Sequence, residues 1–181
     1  MVIGIDATGV RTGGSFVYLK NLLENFDPNE LPEIDKIIVW GKKDVLQNID
    51  CSERIEKVIV KSLDSFNPIL LFFWKIYLNF WLAPNNKCDV LYVPGAIILK
   101  SRIKKVVMFH NLLPFENELR ELYKGSWSYY KFLLLEKLYK FSFRNSAGII
   151  YPTIFTKEKI ESKIHNGDKK SKVIFHGLGK P

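Results

Sequence analysis

Residues 2–26, which read VIGIDATGVRTGGSFVYLKNLLENF, contain a strand pattern, a glycine-containing loop and a helix pattern in succession. The first five residues are nearly all apolar, as expected for a parallel strand that is covered on both faces. The loop ends in Gly13 and Gly14, and the helix pattern runs from 14 to 26. A strand, a glycine-rich loop and a helix N-terminus can bind phosphate, because backbone N–H groups and the helix dipole attract an anion.

This loop matches neither of the common nucleotide-binding glycine motifs, G-x-G-x-x-G and G-x-x-x-x-G-K-[ST]. A second interpretation therefore stays open, in which the loop is a tight turn that needs a positive φ at Gly13 or Gly14. The residue that closes the first strand is Asp6, so the loop begins directly after a carboxylate.

Seven short apolar, β-branched runs recur along the chain, and helical patterns lie between several of them. The predicted strands are 2–6 (VIGID), 36–40 (KIIVW), 57–60 (KVIV), 90–93 (VLYV), 105–109 (KVVMF), 148–151 (GIIY) and 172–175 (KVIF). The predicted helices are 14–26, 66–83, 126–144 and 153–164, the last with Thr153 or Thr156 as its N-cap. This alternation predicts an α/β fold, a Rossmann-like doubly wound parallel sheet of about seven strands.

The domain is expected to cover residues 1–176. Residues 177–181, GLGKP, have the composition of the start of an interdomain linker. No signal-peptide pattern opens the chain, and Cys51 and Cys88 lack the spacing of a zinc site or a disulfide framework. These features predict a cytoplasmic protein without a structural metal. The net charge of +8 among 181 residues favours an anionic partner.

Loops after the first, fourth and fifth predicted strands are expected to meet at the carboxyl edge of the sheet, where such folds bind ligands. Pro94, Gly95 and Ala96 follow the fourth strand, and His110 and Asn111 follow the fifth. A histidine there can hydrogen-bond a sugar hydroxyl or a phosphate. The alternative is a partly buried His110 whose ring is satisfied by backbone groups.

Two further stretches are rich in aromatic residues. The stretch 66–83 (FNPILLFFWKIYLNFWLA) favours a buried core helix over one that touches a membrane, because it is too short and interrupted to span a bilayer. The stretch 119–145 interleaves aromatic with basic side chains and fits either an interfacial helix on anionic lipid or an amphipathic helix whose aromatic face is core. The candidates for membrane contact are Trp127, Tyr130, Lys131, Lys137 and Lys140.

These motifs, taken in order, resemble the N-terminal half of the family 4 glycosyltransferases, which have the GT-B fold. IGIDATGVRTGGSFVYLKNLLENF is similar to the opening strand, Gly-Gly loop and first helix of that family. FWKIYLNFWLAPNNKCDVLYVPG, VVMFHNLLPFENEL, SAGIIYPTIFTKEKI and KVIFHGLGKP are similar to four later segments. The resemblance covers nearly the whole chain.

The resemblance implies a retaining transferase that uses a nucleotide sugar as co-substrate, usually without a metal or another cofactor. It places Gly13 and Gly14 against the donor diphosphate or the acceptor, with Arg11 and Ser15 nearby, and it places His110 beside the transferred sugar. The turn at 94–95 and Asn111, where many members have aspartate, complete the implied substrate site. The implied acceptor is a glycan or a lipid-linked molecule.

The donor domain of the family, with its acidic motif, has no counterpart in these 181 residues. This chain alone is therefore expected to be inactive, and the donor half is expected from the same polypeptide or from a second chain. The alternative function is a non-catalytic, membrane-recruiting subunit of a split glycosyltransferase. A nucleic-acid partner is not expected, because only the basic pI of about 9.4 supports it.

Overall fold

The protein is an α/β domain built on one parallel sheet, as seen in a computed structural model that describes residues 1–11, 13–61, 68–95, 97–164 and 170–175. The seven strands are β1 (Val2–Asp6), β2 (Lys36–Gly41), β3 (Ile55–Ile59), β4 (Val90–Val93), β5 (Lys104–Met108), β6 (Gly148–Tyr151) and β7 (Lys170–Val173). The α-helices are α1 (Gly14–Glu24), α2 (Lys43–Leu46), α3 (Pro68–Tyr77), α4 (Ala83–Asn85), α5 (Asn117–Glu121), α6 (Trp127–Asn145) and α7 (Ile154–Lys163). A π-helical turn, Leu78–Leu82, joins α3 to α4, and a 3₁₀ turn, Leu113–Phe115, precedes α5.

The strand order is β3-β2-β1-β4-β5-β6-β7, and every neighbouring pair is parallel. From β1 the chain builds outward to β3, and then returns to β4 on the other side of β1. The order therefore reverses between β1 and β4, which is the topological switch point of a doubly wound sheet. The predicted Rossmann-like sheet of about seven strands is confirmed.

Two hydrophobic clusters cover the two faces of the sheet. On one face, Leu19 and Leu23 of α1 and Leu46 of α2 pack with strand residues such as Val39. On the other face, the π turn, α6 and α7 contribute side chains that include Leu78, Phe143 and Ile160. The chain crosses in one direction through α1 and α2 and in the opposite direction through α3, α6 and α7, so right-handed crossovers place the two sets of helices on opposite faces.

Some predicted strand ends differ from the observed ones. The last strand was expected at 172–175, but β7 is Lys170–Val173, with Val173 paired to Tyr151. Pro152 follows Tyr151 and the chain then turns into α7, so β6 offers β7 no longer ladder. The predicted linker, 177–181, lies outside the described residues. The predicted N-cap of α7 is confirmed at Thr153, whose side chain accepts the Thr156 N–H at 3.0 Å.

The expectation of a buried core helix at 66–83 holds for only one face of α3 and the π turn. Leu71 and Trp74 pack against the core, and Leu78 and Ala83 are fully buried within it. Seven large apolar side chains of this segment face solvent, with exposed fractions between 42% and 66%: Ile69, Leu70, Phe72, Phe73, Tyr77, Phe80 and Trp81. An almost wholly apolar sequence gives no pattern from which to choose the buried face.

Lys105 is buried near the start of β5, on the amino side of the sheet. Its side chain is 2% exposed, and its Nζ donates to the Ser101 hydroxyl. Within the described ranges no carboxylate forms an ion pair with it, and burial lowers its pKa from 10.5 to about 8. The folded protein therefore disfavours the charged amine, which the unfolded chain carries freely.

We predict that Lys105→Met stabilises the protein at pH 7 by on the order of 2 kcal/mol, because it removes a buried unpaired charge. Between pH 8 and 10.5 the unfolded wild-type chain binds more protons at this site than the folded one, so wild-type stability should rise with pH. The advantage of the variant should therefore shrink over that range. Urea unfolding of both proteins at pH 7, 8.5 and 10 measures the difference, and a constant difference would contradict the prediction.

Candidate active site

The loops that follow β1, β4 and β5 lie side by side, because these three strands are neighbours in the sheet. They stand at the carboxyl edge, on either side of the switch point between β1 and β4. The loops that the sequence places after the first, fourth and fifth strands therefore lie together at this edge, which is where such folds bind ligands and which we call the crevice.

The glycine loop combines both features expected from its sequence, a strained turn and an open helix N-terminus. Gly13 has a φ of 87° and is the N-cap of α1, and its carbonyl accepts the N–H groups of Phe16 and Val17 at 3.0 and 3.1 Å. Gly13 has no side chain with which to cap this helix, and the first N–H groups of a helix have no acceptor within it. A Cβ built on Gly13 or Gly14 would meet no heavy atom within 4 Å. The loop thus has room beside it for a ligand.

A buried ion pair lies at the base of this loop. Asp6, the last residue of β1, is 3% exposed, and its carboxylate lies 2.8 Å from the Nζ of Lys75 on α3. The same carboxylate accepts hydrogen bonds from the Thr8 hydroxyl and, at 3.3 Å, from the Thr8 N–H. Asp6 therefore ties the beginning of the glycine loop to α3.

The ionisation of Asp6 depends on these partners. Burial by itself raises the pKa of the Asp6 carboxyl, but the Lys75 charge and the hydrogen bonds from Lys75 and Thr8 outweigh it and hold the pKa below 3.8. Asp6 is thus a carboxylate at neutral pH, committed to the loop and to α3. Its oxygens are engaged by these partners, so we assign it a positioning role.

The glycine-loop helix and the loop after β5 meet through aromatic side chains. The rings of Tyr18, on α1, and His110 contact edge to face, with centroids 5.7 Å apart. The hydroxyl groups of Tyr18 and Tyr92 lie 3.1 Å apart, and the Tyr92 hydroxyl lies 3.1 Å from the Met108 sulfur. Burial, followed by the effect of Tyr18, raises the pKa of Tyr92, so this phenol stays protonated. These residues link α1 to β4 and to the end of β5.

His110 itself is exposed, and its backbone rests on the core. The preceding residue, Phe109, is fully buried and packs edge to face against Phe115, Tyr139 and Phe143 at centroid distances of 5.3 to 5.6 Å. Its N–H donates to the Ile150 carbonyl at 3.1 Å. His110 is therefore exposed and not partly buried, because the chain leaves the core between residues 109 and 110.

Asn111 has structural contacts of its own. Its side-chain oxygen accepts the Leu113 N–H at 3.2 Å, which closes a turn, and its side chain also hydrogen-bonds Tyr139. Of the other predicted site residues, Arg11 and Gly95 are exposed, Ser15 is half-buried and Pro94 is buried. Thr12 and Ala96 lie outside the described residues.

Lys75, Tyr18 and Tyr92 belong to this site but were not among the predicted site residues, although all three lie within the quoted segments. Lys75 is 69 positions from its partner Asp6, so only the fold brings the two together. A lysine inside an otherwise apolar helix is a usable signal, because such a residue needs a buried counter-charge or an exit to solvent.

Among the described residues, no cluster of three or more potential ligands is arranged to hold a metal ion.

The predicted interfacial helix, α6, has an exposed stripe that contains four of the five candidate residues. Trp127 is 82% exposed and Tyr130 is 60% exposed, and Lys131 and Lys137 also face solvent. Leu134, Leu138 and Phe141 continue the stripe at helical spacing. The opposite side of α6 carries Tyr139 and Phe143 into the core, as the interpretation with an aromatic core face expected, and lipid contact by the exposed stripe stays a prediction.

Lys140 differs from the other candidates because its charge is compensated. Its Nζ lies 2.6 Å from a Glu136 oxygen, and Arg120 binds the other oxygen of the same carboxylate at 2.5 Å. Burial raises the pKa of Glu136, but these two cations outweigh it and hold the pKa below 4.5.

No helix in the described ranges is long and apolar enough to cross a membrane.

Two solved structures have a similar fold. A sucrose-phosphate synthase from Thermosynechococcus elongatus matches 98% of this chain and 48% of its own, with a TM-score of 0.65 and 12% sequence identity. A glycosyltransferase from Rickettsia africae ESF-5 matches 98% of this chain and 43% of its own, with a TM-score of 0.54 and 13% identity. No protein-family model and no curated protein matches the sequence. The chain spans about half the length of the two structures, and at these identities the likeness shows the fold.

We predict that Lys75→Met destabilises the protein by about 3 kcal/mol at pH 7, because it leaves the Asp6 carboxylate buried without its cation. Without Lys75, burial dominates and raises the pKa of Asp6 above its unfolded value, so the folded variant takes up a proton as the pH falls. The loss should therefore be smaller at pH 4 than at pH 7. Urea unfolding at both pH values measures it.

The matched control is Lys75→Met combined with Asp6→Asn, which removes both charges and keeps an oxygen to accept from Thr8. The double variant should recover most of the lost stability and should show no extra loss between pH 4 and pH 7. A double variant as unstable as the single one would show that the ion pair is not the source of the effect.

Proposed function

We propose that this chain is the acceptor-binding half of a retaining glycosyltransferase, which transfers a sugar from a nucleotide sugar to a glycan or a lipid-linked acceptor. The observation that carries the proposal is the carboxyl edge at the β1/β4 switch point, where a glycine loop leads into α1 and α1 contacts His110 through Tyr18. The two solved structures that share the fold are a sucrose-phosphate synthase and a glycosyltransferase, and this chain corresponds to about half of each.

The glycine loop would act on charge. As the bond between sugar and nucleotide breaks, negative charge grows on the leaving diphosphate, and N–H groups held at Gly13 and Gly14 would offset it. The positive end of the α1 dipole adds to this field. Because Asp6 and Lys75 hold the base of the loop, the strand end from which Gly13 and Gly14 extend would be fixed before the ligand arrives, so that only the glycines adjust to it.

His110 would position the transferred sugar. Its ring is exposed and stands edge to face with Tyr18, so α1 orients the imidazole at this edge of the sheet. Arg11, Ser15 and the 94–95 turn would complete the acceptor side. A donor half, supplied by the same polypeptide or by a second chain, would close over the carboxyl edge and bring the nucleotide sugar as co-substrate.

The proposal predicts different effects for two glycines that are matched in backbone strain. Gly13 and Gly125 both have positive φ, 87° and 81°, and a Cβ at either would meet nothing within 4 Å. Gly13→Ala and Gly125→Ala should thus each lower the free energy of unfolding by about 1–3 kcal/mol. Only Gly13→Ala should lower sugar transfer, by at least about tenfold, because Gly125 lies in the turn before α6 and not in the glycine loop.

The assay measures nucleoside diphosphate release from a panel of nucleotide sugars, with lipid and glycan extracts as acceptors, by the protein purified from its source organism together with its donor half. His110→Ala should lower turnover as well. Equal losses for Gly13→Ala and Gly125→Ala would refute the role of the loop. A protein that releases no nucleoside diphosphate from any donor would refute the transferase proposal.

A second candidate function is a non-catalytic subunit that recruits a partner to an anionic membrane in the cytoplasm. The observation that favours it is the exposed stripe of α6, where Trp127 and Tyr130 stand beside Lys131 and Lys137. Aromatic rings at the headgroup level and lysines near anionic lipid are the usual means of interfacial binding. The same contact would also serve a transferase whose acceptor is lipid-linked.

This candidate predicts salt-sensitive binding to vesicles that contain phosphatidylglycerol. Lys131→Gln combined with Lys137→Gln should weaken binding about thirtyfold in low salt and flatten its salt dependence, because each lysine near the surface contributes about 1 kcal/mol. The control, Arg102→Gln with Lys104→Gln, removes the same charge from the amino edge of the sheet, where both residues are exposed. Co-sedimentation that is indifferent to lipid charge would contradict the prediction.

A further inference from the structure

A second exposed apolar surface lies on α3 and the π turn, on residues that belong neither to the crevice loops nor to α6. It consists of Ile69, Phe72, Phe73, Tyr77, Phe80 and Trp81, each at least half exposed, and we call it the α3 face. These positions recur at intervals of three and four, so they form one side of a helix. Six large apolar side chains on one exposed stripe exceed what a monomer normally leaves in water.

The α3 face is built as a surface and is not a set of isolated exposed residues. Phe72 and Phe73 contact edge to face at 6.0 Å, and Tyr77 stacks on Trp81 at 6.5 Å. The other side of the same helix is anchored, because Lys75 binds Asp6 and Leu78 is fully buried. The rings are therefore held outward by a helix that cannot rotate to bury them.

The charge around this surface favours a lipid bilayer as its occupant. Residues 68–88 contain no aspartate or glutamate, so no carboxylate on this segment opposes an anionic headgroup. The chain as a whole has a net charge of +8, which disfavours a second copy of itself and favours an anionic bilayer. Tyr77 and Trp81 are the side-chain types that prefer the membrane–water interface.

The position of the α3 face agrees with that of α6. Both helices belong to the same layer, since their buried sides enter the same hydrophobic cluster. The segment Pro68–Asn85 is about 27 Å long, roughly twice the length of β4. Because Lys75 reaches the last residue of β1, the turn that carries Phe72 and Phe73 stands level with the carboxyl edge or beyond it.

We infer that the α3 face inserts into an anionic lipid bilayer as the apolar partner of the basic α6 stripe. The inference extends the membrane contact proposed for α6 and rests on it for the identity of the lipid. The α6 lysines supply long-range attraction, and the α3 rings supply the apolar contact that salt does not screen. Together they orient the carboxyl edge, with its crevice, toward the membrane surface.

The test is vesicle binding by Phe72→Ser combined with Phe73→Ser, compared with Leu22→Ser combined with Leu31→Ser. The control residues are exposed apolar side chains outside the α3 face, one on α1 and one in the loop before β2. Partitioning onto vesicles of phosphatidylglycerol and phosphatidylcholine is measured at low and high salt, and circular dichroism checks folding. We expect the α3 variant to lose at least about tenfold in partitioning, mostly in the part that survives high salt, and the control to lose little.

The outcomes separate this inference from the others. Loss in the α3 variant with retained salt dependence supports it, whereas loss in the Lys131/Lys137 variant alone would leave α6 as a membrane contact and overturn the role of the α3 face. Concentration-dependent dimerisation that disappears in the Phe72/Phe73 variant, without vesicle binding, would also overturn it and identify a second copy as the occupant. Sugar transfer enters none of these measurements, so failure of the transferase proposal leaves the result readable.

Quenching of Trp81 by brominated lipid gives an independent measure of depth. Trp81 is 56% exposed on the α3 face, and Trp127→Phe removes the exposed indole of α6 from the signal. Strong quenching in the Trp127→Phe variant is the expected result. Trp81 fluorescence that brominated lipid does not change on bound protein would refute insertion of this face.

Discussion

The ion pair between Asp6 and Lys75 is the contact on which the arrangement of the crevice depends. Its two members come from the central strand and from the helix that returns the chain across the sheet, and its carboxylate also holds Thr8. A buried pair of this kind contributes little net stability but is costly to break singly. Its effect is specificity of position, because the glycine loop and α3 are registered to the same carboxylate.

Around this contact, the carboxyl edge of the sheet and the two helix layers differ in the side chains that they expose. The carboxyl edge carries the glycine loop, the 94–95 turn and His110, joined by the rings of Tyr18 and Tyr92. The layer of α3, α6 and α7 has a buried side that forms the larger core and an exposed side rich in aromatic residues. The layer of α1 and α2 has fewer exposed rings. This asymmetry gives the domain a distinct side for surface contact, and the crevice lies at its rim.

Much of this architecture could be predicted from the sequence, since the strands are covered on both faces and appear as continuous β-branched runs. The switch-point loops follow from strand order, and Thr153 follows from local capping chemistry. The orientation of α3 could not be predicted, because apolar residues on all sides leave no periodic signal. Lys75 was visible as an exception, but its partner lies 69 positions away and only the folded sheet identifies it. The end of β7 depends on where its neighbour stops, which is again a tertiary effect.

The contrast between Phe109 and Gly13 has a consequence for the entropy of ligand binding. Phe109 fixes the backbone beneath His110 within a cluster of four rings, so this side of the crevice is ordered before any ligand arrives. On the other side, Gly13 and Gly14 have no neighbours around the Cβ position and lack the side chains that would limit their backbone. When a ligand bridges the two sides, the protein backbone loses conformational entropy mainly at the glycines. The crevice thus has a rigid side beneath His110 and an adaptable side at Gly13 and Gly14. Ligands of different size would contact the same rigid side, and the glycine loop would adjust to each.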